Sequence, residues 1–312
     1  MTVLGTGTPL GGPAIDLIEL TKTFGSVRAV QDVCLQVEVG EIFGFLGPNG
    51  AGKTTTIRAV LDLHHPTSGA VRVLGLDAHH DAVAIHRRVG YLPGELALFG
   101  RMTAGDHVAS FARARGLPDT GFASKLAERF SLALDRRVSE LSKGNRQKVG
   151  IVLAFMHEPE LLILDEPTAG LDPLMKDEFE QLLRETARAE RTVFLSSHEL
   201  DEVQRVADRV GIIKDGRLIR TDTVDGLRRS APRTLELRFA DPVDPTPFQI
   251  EGVRIVSEAG THLTLEVAGP IGPVLRVAAD HDPVDLVSRQ ADLDELFLDF
   301  YRDDEGDDHG PP

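Results

Sequence analysis

The sequence predicts an α/β fold in which a parallel sheet carries its functional groups at one edge. Three apolar runs, at residues 42–46, 161–164 and 192–197, predict buried strands of that sheet. Glycine, carboxylate or other polar residues follow each run. Because ligands of open α/β sheets gather beyond the carboxyl ends of the strands, we expect the functional site there.

Composition excludes several classes of function. Lys and Arg total 34 against 49 Asp and Glu, a net charge of −15. A duplex-binding face needs basic residues, so nucleic acid is not an expected partner. Cys34 is the single cysteine, which excludes an internal disulfide or cysteine metal cluster and fits a reducing cytosol. No stretch approaches the roughly 18–20 apolar residues of a membrane span, so any membrane role requires another chain.

A glycine-rich segment follows the first apolar run and precedes helix-period positions at 56–63. Residues 47–54 match G-x-x-x-x-G-K-T. Such a loop turns several N–H groups toward one anion, and the helix N-terminus adds partial positive charge. Lys53 is placed to reach the outer phosphates, and the Thr54 hydroxyl to coordinate Mg²⁺. An ordinary glycine-rich turn is the competing interpretation, but the flanking strand and helix disfavour it. The predicted triphosphate-binding residues are Gly47, Pro48, Asn49, Gly50, Ala51, Gly52, Lys53, Thr54 and Thr55.

Polar side chains follow the other two runs. Asp165 is placed to hold Mg²⁺, directly or through water, and Glu166 to orient or deprotonate an attacking water. A pair of solvated acids before a turn is the alternative, disfavoured by the phosphate loop. His198 follows the third run and is a candidate contact for a γ-phosphate, although a lone histidine is more often structural.

Two features have both a structural and a functional interpretation. Phe24 either stacks on a nucleotide base or fills the core, which is commoner for an apolar aromatic. Ser142 is the predicted N-cap of a helix that continues to Phe155. A plain capped helix is the simpler interpretation, but a glycine-containing helix start can also bind phosphate.

Changes in pattern divide the chain. Residues 1–13 are rich in Gly, Thr and Pro and predict a flexible tail without a signal peptide. Residues 14–229 form the expected nucleotide-binding domain, with a mostly helical insertion at about 93–155. Alternating apolar residues predict a small α+β domain over 230–302, and 303–312 are expected to be an acidic, disordered tail.

Local patterns within those regions predict individual elements. Residues 89–95 are expected to open a loop before the helical insertion. In the C-terminal region, 271–279 predict a helix and 284–288 a strand. Asp292 is the expected N-cap of a helix over 293–301.

The sequence resembles the ATP-binding subunit of ABC transporters over about residues 14–228. Residues 47–54 resemble its Walker A loop, and 161–166 resemble Walker B with the adjoining glutamate. His198 falls at the family's switch histidine, and Phe24 at the aromatic that stacks on adenine. The resemblance implies a P-loop NTPase fold with a RecA-like core, an antiparallel β subdomain and a helical subdomain. It also implies ATP and Mg²⁺ as cofactors.

Other stretches resemble motifs of the family, and two of them differ from the usual residues. Asp172 falls in a segment that resembles the D-loop. The family usually has Gln after Tyr-x-Pro; Gly94 stands there, and Glu95 is a candidate substitute ligand for Mg²⁺. A further segment resembles the signature sequence LSGGQ, with Lys and Asn as its departures. Its residues are Leu141, Ser142, Lys143, Gly144 and Asn145.

The resemblance implies a mechanism shared between two chains. Two copies would sandwich two ATP molecules head to tail, with each γ-phosphate held by Lys53 of one chain and by Ser142 and Gly144 of the other. Hydrolysis would separate the halves and drive a membrane (permease) subunit on a separate chain. The protein would lie at the cytoplasmic face of the cell membrane. Competent motifs on one chain favour a homodimer, and a heterodimer stays open.

The transported compound is less well specified. Residues 292–298 resemble part of the C-terminal extension of drug and antibiotic exporters, which implies ATP-driven export of a hydrophobic compound. The alternative is a soluble ABC-type ATPase that acts on a ribosome or an assembly scaffold. The single phosphate loop disfavours the translation-factor branch, which usually carries two. The intact pair Asp165 and Glu166 disfavours a regulator that binds ATP without hydrolysing it.

Overall fold

A computed structural model describes residues 12–230 and 232–290. The chain divides into two compact units, Met1–Asp222 and Thr223–Pro312. This division falls seven residues before the predicted boundary at 229, because the helix Val224–Ser230 groups with the second unit. The functional assignment of the two units stays a prediction.

The first unit alternates strands and helices. In chain order its elements are β1 (Ile15–Phe24), β2 (Val27–Val37), β3 (Ile42–Leu46), α1 (Lys53–Val60), β4 (Ser68–Val73), β5 (Leu76–Asp77), α2 (Ala82–Arg88), β6 (Val89–Leu92), α3 (Ala104–Arg115), α4 (Gly121–Arg129), α5 (Lys143–Phe155), β7 (Leu161–Asp165), α6 (Pro173–Arg188), β8 (Thr192–Ser197), α7 (Leu200–Val206), β9 (Arg209–Lys214) and β10 (Arg217–Thr223).

A six-stranded sheet forms the centre of this unit, in the order β10-β9-β3-β8-β7-β6. β3 pairs in parallel with β8 and β9, and β7 pairs in parallel with β6 and β8. All residues of β3, β7 and β8 are buried. Continuous apolar runs suit strands covered on both faces, so the predicted parallel sheet is confirmed. Its three central strands end at the same edge.

A second, antiparallel sheet has the order β2-β1-β4-β5. Apolar residues of β1 and β2 alternate inward and join one core cluster with Phe43, Ile57 and Phe194. Because residues of α1 belong to the same cluster, this core packs α1 against residues of both sheets. The expected combination of a parallel core and an antiparallel β subdomain is therefore present.

The expectation that residues 89–95 open a loop is wrong for their first four positions. Val89–Leu92 form the edge strand β6, in register with Leu161–Leu164 of β7. Gly90 weakens the strand pattern, since glycine packs no side chain. The fold nevertheless requires glycine there, because a Cβ at this position would lie 2.2 Å from the Ala154 carbonyl oxygen. Tertiary packing therefore decides this strand.

The phosphate-loop helix also differs from its expected bounds. Helix-period positions predict 56–63, but α1 spans Lys53–Val60. Gly52 caps it with a left-handed φ of 108°. The glycine loop thus ends directly at the helix, which places Lys53 and Thr54 in the first turn.

The helical region lies between β6 and β7. It consists of α3, α4 and α5, and α5 begins after the N-cap Ser142 and ends at Phe155, as predicted. No helix among the residues described here combines the length and apolarity needed to cross a membrane.

The second unit is a small α+β arrangement. Its elements are α8 (Val224–Ser230), β11 (Arg233–Arg238), β12 (Val253–Ala259), β13 (His262–Val267), α9 (Gly272–Ala279) and β14 (Asp285–Gln290). The strands form an antiparallel sheet in the order β12-β13-β11-β14. The alternation at 235–239 and 263–267 buries one face of that sheet against Phe248 and Val274. The predictions at 292–301 and 303–312 lie outside the described residues, as do residues 1–11 of the predicted N-terminal tail.

Candidate functional site

The glycine-rich loop connects β3 to α1. A Cβ at Gly52 would lie 2.6 Å from the Ala29 carbonyl oxygen, and one at Gly47 would lie 2.5 Å from that of Ile213. Only glycine satisfies both this close approach and the left-handed backbone at Gly52. Pro48, Asn49 and Gly50 are exposed at the tip. The loop can therefore receive a ligand from solvent above a tightly packed base.

Lys53 is only 6% exposed although it opens the helix. Its Nζ donates to the carbonyl oxygen of Gly47 at 2.6 Å and to that of Pro48 at 3.3 Å. Nζ also lies 3.2 Å from Glu166 Oε1. A buried ammonium group needs such partners, because an unpaired buried charge is costly. The lysine is thus held inside the loop, beside the carboxylate that follows β7.

Asp165 is the most buried acid of the site, at 2% exposure. Its position on β7 is paired with Ser196 on β8. Ser196 Oγ donates to Asp165 Oδ1 at 2.6 Å, and Thr54 Oγ1 donates to Oδ2 at 2.9 Å. A hydroxyl and a carboxylate are hard oxygen ligands of the type that Mg²⁺ prefers. This donor set therefore fits the expected metal.

Glu166 has a backbone φ of 49°, in the left-handed region. Its N–H donates to Ser196 Oγ at 3.1 Å, and His198 Nδ1 lies 2.8 Å from its Oε2. Within the described part of the chain, Oε1 is buried and has no hydrogen-bond partner, since the contact with Lys53 lacks hydrogen-bond geometry. Strained backbone and an unsatisfied buried oxygen both tend to mark functional positions. Oε1 is available to a water or ligand.

Sequence reasoning missed Ser196 as a member of this site. Its hydroxyl joins Asp165 to the backbone of Glu166. The polar end of the third apolar run was a usable signal, because adjacent parallel strands bring their ends together. The exact pairing of Ser196 with Asp165 required the strand register.

A second network, also missed, joins the segments after β7 and β8. Glu202 on α7 accepts hydrogen bonds from Thr168 Oγ1 and Lys176 Nζ, both at 2.6 Å. Ser197 Oγ contributes a longer one at 3.3 Å. Burial acts to raise the pKa of Glu202, but the bonds from Lys176 and Thr168 outweigh it and hold the pKa below its usual range. The charged Glu202 carboxylate thus connects these segments through hydrogen bonds.

Gly94 lies directly against the metal-ligand candidate. A Cβ at this position would be 3.3 Å from Asp165 Oδ2, so a side chain here would border the site. Burial raises the pKa of the nearby Tyr91, and the charge of Asp165 raises it further. Glu95 is exposed. Its proposed role as a substitute ligand stays a prediction.

The signature-like residues occupy the start of α5. Ser142 Oγ accepts from the Asn145 N–H at 3.2 Å, which confirms the predicted N-cap. Ser142 and Lys143 are exposed, whereas Leu141 is buried. A Cβ at Gly144 would lie 2.5 Å from the carbonyl oxygen of Gly170. The segment therefore contacts the first turn of α5 and the loop after β7.

Two other predicted residues have local partners. Asp172 caps α6, and its side chain accepts from the Met175 N–H at 3.0 Å. Phe24 ends β1 and is 45% exposed, so it does not fill the core. Its ring lies edge-on to His64 at 5.3 Å, and Lys22 Nζ lies 4.9 Å from its centroid. Stacking of this partly exposed ring on a nucleotide base stays a prediction.

Comparison with known proteins decides the family. The model of the ABC transporter family matches residues 30–169. The bacitracin transport ATP-binding protein BcrA of Bacillus licheniformis is 37% identical over 230 residues, covering 73% of this chain and 75% of that protein. The chain belongs to the ABC transporter family. A second relative, the ABC transporter ATP-binding protein NatA of Bacillus subtilis (strain 168), is 38% identical over 210 residues, 65% of this chain and 85% of that protein.

Solved structures agree with this assignment to ABC transporters. A structure described as the ATP-binding subunit of an ABC transporter is 32% identical and has a TM-score of 0.64. The match covers 69% of this chain and 92% of that one. The fold predicted from the motifs is therefore confirmed, and the protein is an ATP-binding member of the family. The roles of individual site residues stay predictions.

Proposed function

We propose that this chain binds ATP with Mg²⁺ at the edge of the six-stranded sheet and hydrolyses it there. The observation that carries the proposal is the assembly of Lys53, Thr54, Asp165, Glu166 and His198 from three adjacent parallel strands. Thr54 contacts Asp165 at 2.9 Å, and Glu166 contacts Lys53 at 3.2 Å and His198 at 2.8 Å. Ser196 joins these two groups, because it bonds to both Asp165 and Glu166. Membership of the ABC transporter family supports the same conclusion.

Each residue has a role that follows from its atoms. The loop N–H groups and Lys53 Nζ bind the phosphates, and Thr54 and Asp165 are the residues that would hold Mg²⁺. When bound, the metal supplies positive charge against the phosphate oxygens. Glu166 Oε1 accepts a proton from the attacking water, and His198 Nδ1 orients Glu166 through Oε2. Ser196 keeps Asp165 and Glu166 aligned.

The proposed partner of this site is a second copy of the chain. Ser142 and Lys143 are exposed at the start of α5, where N–H groups and the helix dipole favour an anion. In a twofold arrangement each start of α5 would close the phosphate site of the other copy. Gly144 and Asn145 complete this segment. Asp172 ends the loop after β7 as the N-cap of α6. A heterodimer with a related chain would use the same surfaces.

The work done by hydrolysis is proposed to be export through a separate membrane subunit. The relatives include a bacitracin transport protein and a probable multidrug ABC transporter ATP-binding protein, YbhF of Escherichia coli (strain K12). YbhF is 37% identical over 227 residues, which cover 71% of this chain and 39% of that protein. These names favour a drug or antibiotic as cargo, whereas a hydrophobic compound or lipid rests on the resemblance at residues 292–298. Peripheral attachment at the cytoplasmic membrane face follows from such a partner. A soluble ATPase acting on a scaffold or ribosome is less well supported by these relatives.

The substitution Glu166→Gln tests the hydrolytic role. It keeps the size of the side chain but removes the acceptor of the water proton, so we expect turnover to fall at least a hundredfold. ATP binding should persist and should trap a dimer, measured by light scattering with ATP and Mg²⁺. Near-normal hydrolysis in this variant would contradict the role of Glu166.

Glu160→Gln is the matched control. Glu160 precedes the opposite end of the same strand and forms an exposed pair with Arg88 at 2.6 Å. Exposed pairs contribute roughly 0–1 kcal/mol, so this variant should fold and hydrolyse ATP normally. Co-purification of the wild type with a membrane protein, followed by resistance assays with hydrophobic compounds, tests the transport role. Recovery only in a soluble complex would favour the alternative.

A further inference from the structure

Two histidines and one aspartate meet away from the nucleotide site. Asp62 follows α1, His65 lies three residues later, and His79 lies in the turn between β5 and α2. Their candidate ligand atoms, the two imidazole nitrogens and a carboxylate oxygen, all lie within 4.8 Å of one another. Nothing in the proposed nucleotide chemistry uses these groups.

The contacts converge on one carboxylate. His65 Nδ1 lies 2.7 Å from Asp62 Oδ1, and His79 Nδ1 lies 3.1 Å from Asp62 Oδ2. The two rings are edge to face, with centroids 4.5 Å apart. Two imidazole nitrogens and a carboxylate form a donor set suited to Zn²⁺ and similar divalent ions. In a tetrahedral site with bonds of about 2.0–2.1 Å, ligand atoms lie roughly 3.3 Å apart, which needs only small ring movements.

Burial and charge favour a cation at this point. The Asp62 side chain is 12% exposed, whereas those of His65 and His79 are 66% and 60% exposed. The carboxylate is therefore largely desolvated, and the imidazoles can receive an ion from solvent without unfolding. His80 and Asp77 pair beside them at 2.9 Å, adding a further negative charge. One cation also lies close by, since Lys22 Nζ donates to the His65 carbonyl oxygen at 2.7 Å.

Hydrogen bonds to the backbone fix both of the segments that carry the candidate ligands. The segment after α1 is tied to β1, since the Thr67 N–H donates to the Thr21 carbonyl oxygen at 2.8 Å. The turn before α2 is closed by Asp77 Oδ1, which accepts from the N–H groups of His79 and His80 at 3.0 and 2.9 Å. Such pre-organisation lowers the entropy lost on binding. Only side-chain rotations remain for a ligand to fix.

We propose that Asp62, His65 and His79 form a Zn²⁺ site that fastens the segment after α1 to the turn before α2. Zn²⁺ would take the place of the protons that lie between the two Nδ1 atoms and the carboxylate. Each neutral imidazole would then carry its one proton on Nε2, any further proton would pass to solvent, and water would complete the coordination. The bound ion would link two segments that are distant in sequence. This site is independent of ATP, so its test needs no hydrolysis.

Calorimetric titration of the full chain with ZnCl₂, in excess Mg²⁺ and without nucleotide, tests the proposal. We expect one equivalent per chain with a dissociation constant on the order of micromolar, as befits three partly exposed ligands. His65→Ala and His79→Ala should each weaken binding at least tenfold. Both side chains are exposed, so both variants should fold.

Two controls separate this site from others. His80→Ala removes a neighbouring exposed imidazole, and His198→Ala removes the imidazole beside Glu166; neither should change the zinc affinity. Hydrogen exchange of the wild type should slow at 61–67 and at 77–81 together when Zn²⁺ is added. Absence of binding, or equal binding by the wild type and the His65→Ala and His79→Ala variants, would overturn the proposal. Zinc loss in His198→Ala alone would place the metal at the nucleotide site and would equally overturn it.

Discussion

The edge of the six-stranded sheet and the start of α5 are both candidate phosphate-binding regions, but they are built differently. At the sheet edge, Lys53 and Asp165 are both buried. Lys53 bonds to carbonyl oxygens of the glycine loop, and Asp165 bonds to side chains of α1 and β8. At the start of α5, Ser142 and Lys143 are exposed, and Ser142 bonds only within its own first turn among the contacts described. The residues of the first region contact one another within one chain. The second presents donors outward, as expected for a surface that serves another molecule.

The largest expected effect is on ATP hydrolysis, when one region is inactivated in one chain and the other region in a second chain. Lys53→Ala and Ser142→Ala should each lose most ATP hydrolysis, the first through lost phosphate binding. If the regions meet in trans, an equal mixture of the two inactive proteins forms dimers with one intact site. Mixing should then restore about a quarter of wild-type hydrolysis if sites act independently. The measurement is phosphate release before and after mixing.

The control for that experiment is each variant mixed with itself at the same total concentration. No recovery of hydrolysis in the mixed sample would contradict the proposed pairing of the two regions across a dimer. Both regions would then act within one chain, or the start of α5 would have no part in catalysis. Recovery that depends on protein concentration would sharpen it, since dimer formation would then be limiting.

The next effect concerns the internal order of the sheet edge. Ser196→Ala removes the donor to Asp165 Oδ1 and the acceptor for the Glu166 N–H. A hydrogen bond to a charged group contributes about 1.5–3 kcal/mol, so we expect kcat to fall roughly tenfold to a hundredfold. Because Ser196 is a positioning residue, the Mg²⁺ concentration for half-maximal rate should rise while ATP affinity changes little.

Ser197→Ala is the matched control for Ser196→Ala. Ser197 is equally buried on the same strand, but its hydroxyl bonds to Glu202 and the Glu199 backbone. It should leave the Mg²⁺ dependence unchanged. An equal change in both variants would mean that the loss comes from strand packing rather than from Asp165.

A smaller effect is expected at Gly94. A Cβ there meets Asp165 Oδ2 at 3.3 Å, and the backbone is not left-handed, so Gly94→Gln is accommodated with a slight shift. An added amide oxygen beside Asp165 should lower the Mg²⁺ concentration for half-maximal hydrolysis a few-fold. Glu95→Gln tests the neighbouring residue: a higher Mg²⁺ concentration for half-maximal hydrolysis would support Glu95 as a substitute ligand, and no change would refute it.

The smallest effect concerns how the far end of α5 is fastened to the sheet. His157 Nε2 lies 3.1 Å from the Val89 carbonyl oxygen of β6. Burial, with the nearby charge of Arg115, lowers the pKa of His157 to about 4. The unfolded state, with a pKa near 6.5, binds the proton first. The free energy of unfolding should therefore be highest above pH 6.5 and should fall as pH drops toward 4.

His157→Gln should remove that acid sensitivity. After allowance for partial solvent exposure, the loss between pH 6.5 and 4 should be smaller in the variant by about 1–2 kcal/mol. Denaturant unfolding at pH 7, 6, 5 and 4 measures it. Parallel pH profiles for the wild type and the variant would show that His157 is not the titrating group.

Much of the sheet-edge site could be predicted because its residues are contiguous in sequence with their strands. Residues 47–54 and 161–166 each join a strand to its functional groups, so local pattern and chemistry coincide. Ser142 as a cap and the helix at 271–279 were similarly local. The helix Pro173–Arg188 and the strand Val253–Ala259 were not predicted, although the former has a Pro at its start and an Asp cap.

Other features required contacts between distant segments. The edge strand at Val89–Leu92 depends on β7 and on the approach of the Ala154 carbonyl oxygen. Glu202 lies 34 residues from its partner Thr168, and nothing in either local pattern indicates the pair. The cluster of Asp62, His65 and His79 likewise depends on a turn 17 residues beyond Asp62.

The sequence by itself determined the class of fold, the ABC-type motifs and the residues proposed to bind the phosphates, because each lies within one strand-to-loop unit. Only the tertiary structure decided which atoms meet: Ser196 with Asp165, the buried Oε1 of Glu166, and Gly94 against the metal-ligand candidate. The physical reason is that strand register and close backbone packing fix positions to within an ångström. Local propensity and spacing carry no information at that scale across separate elements.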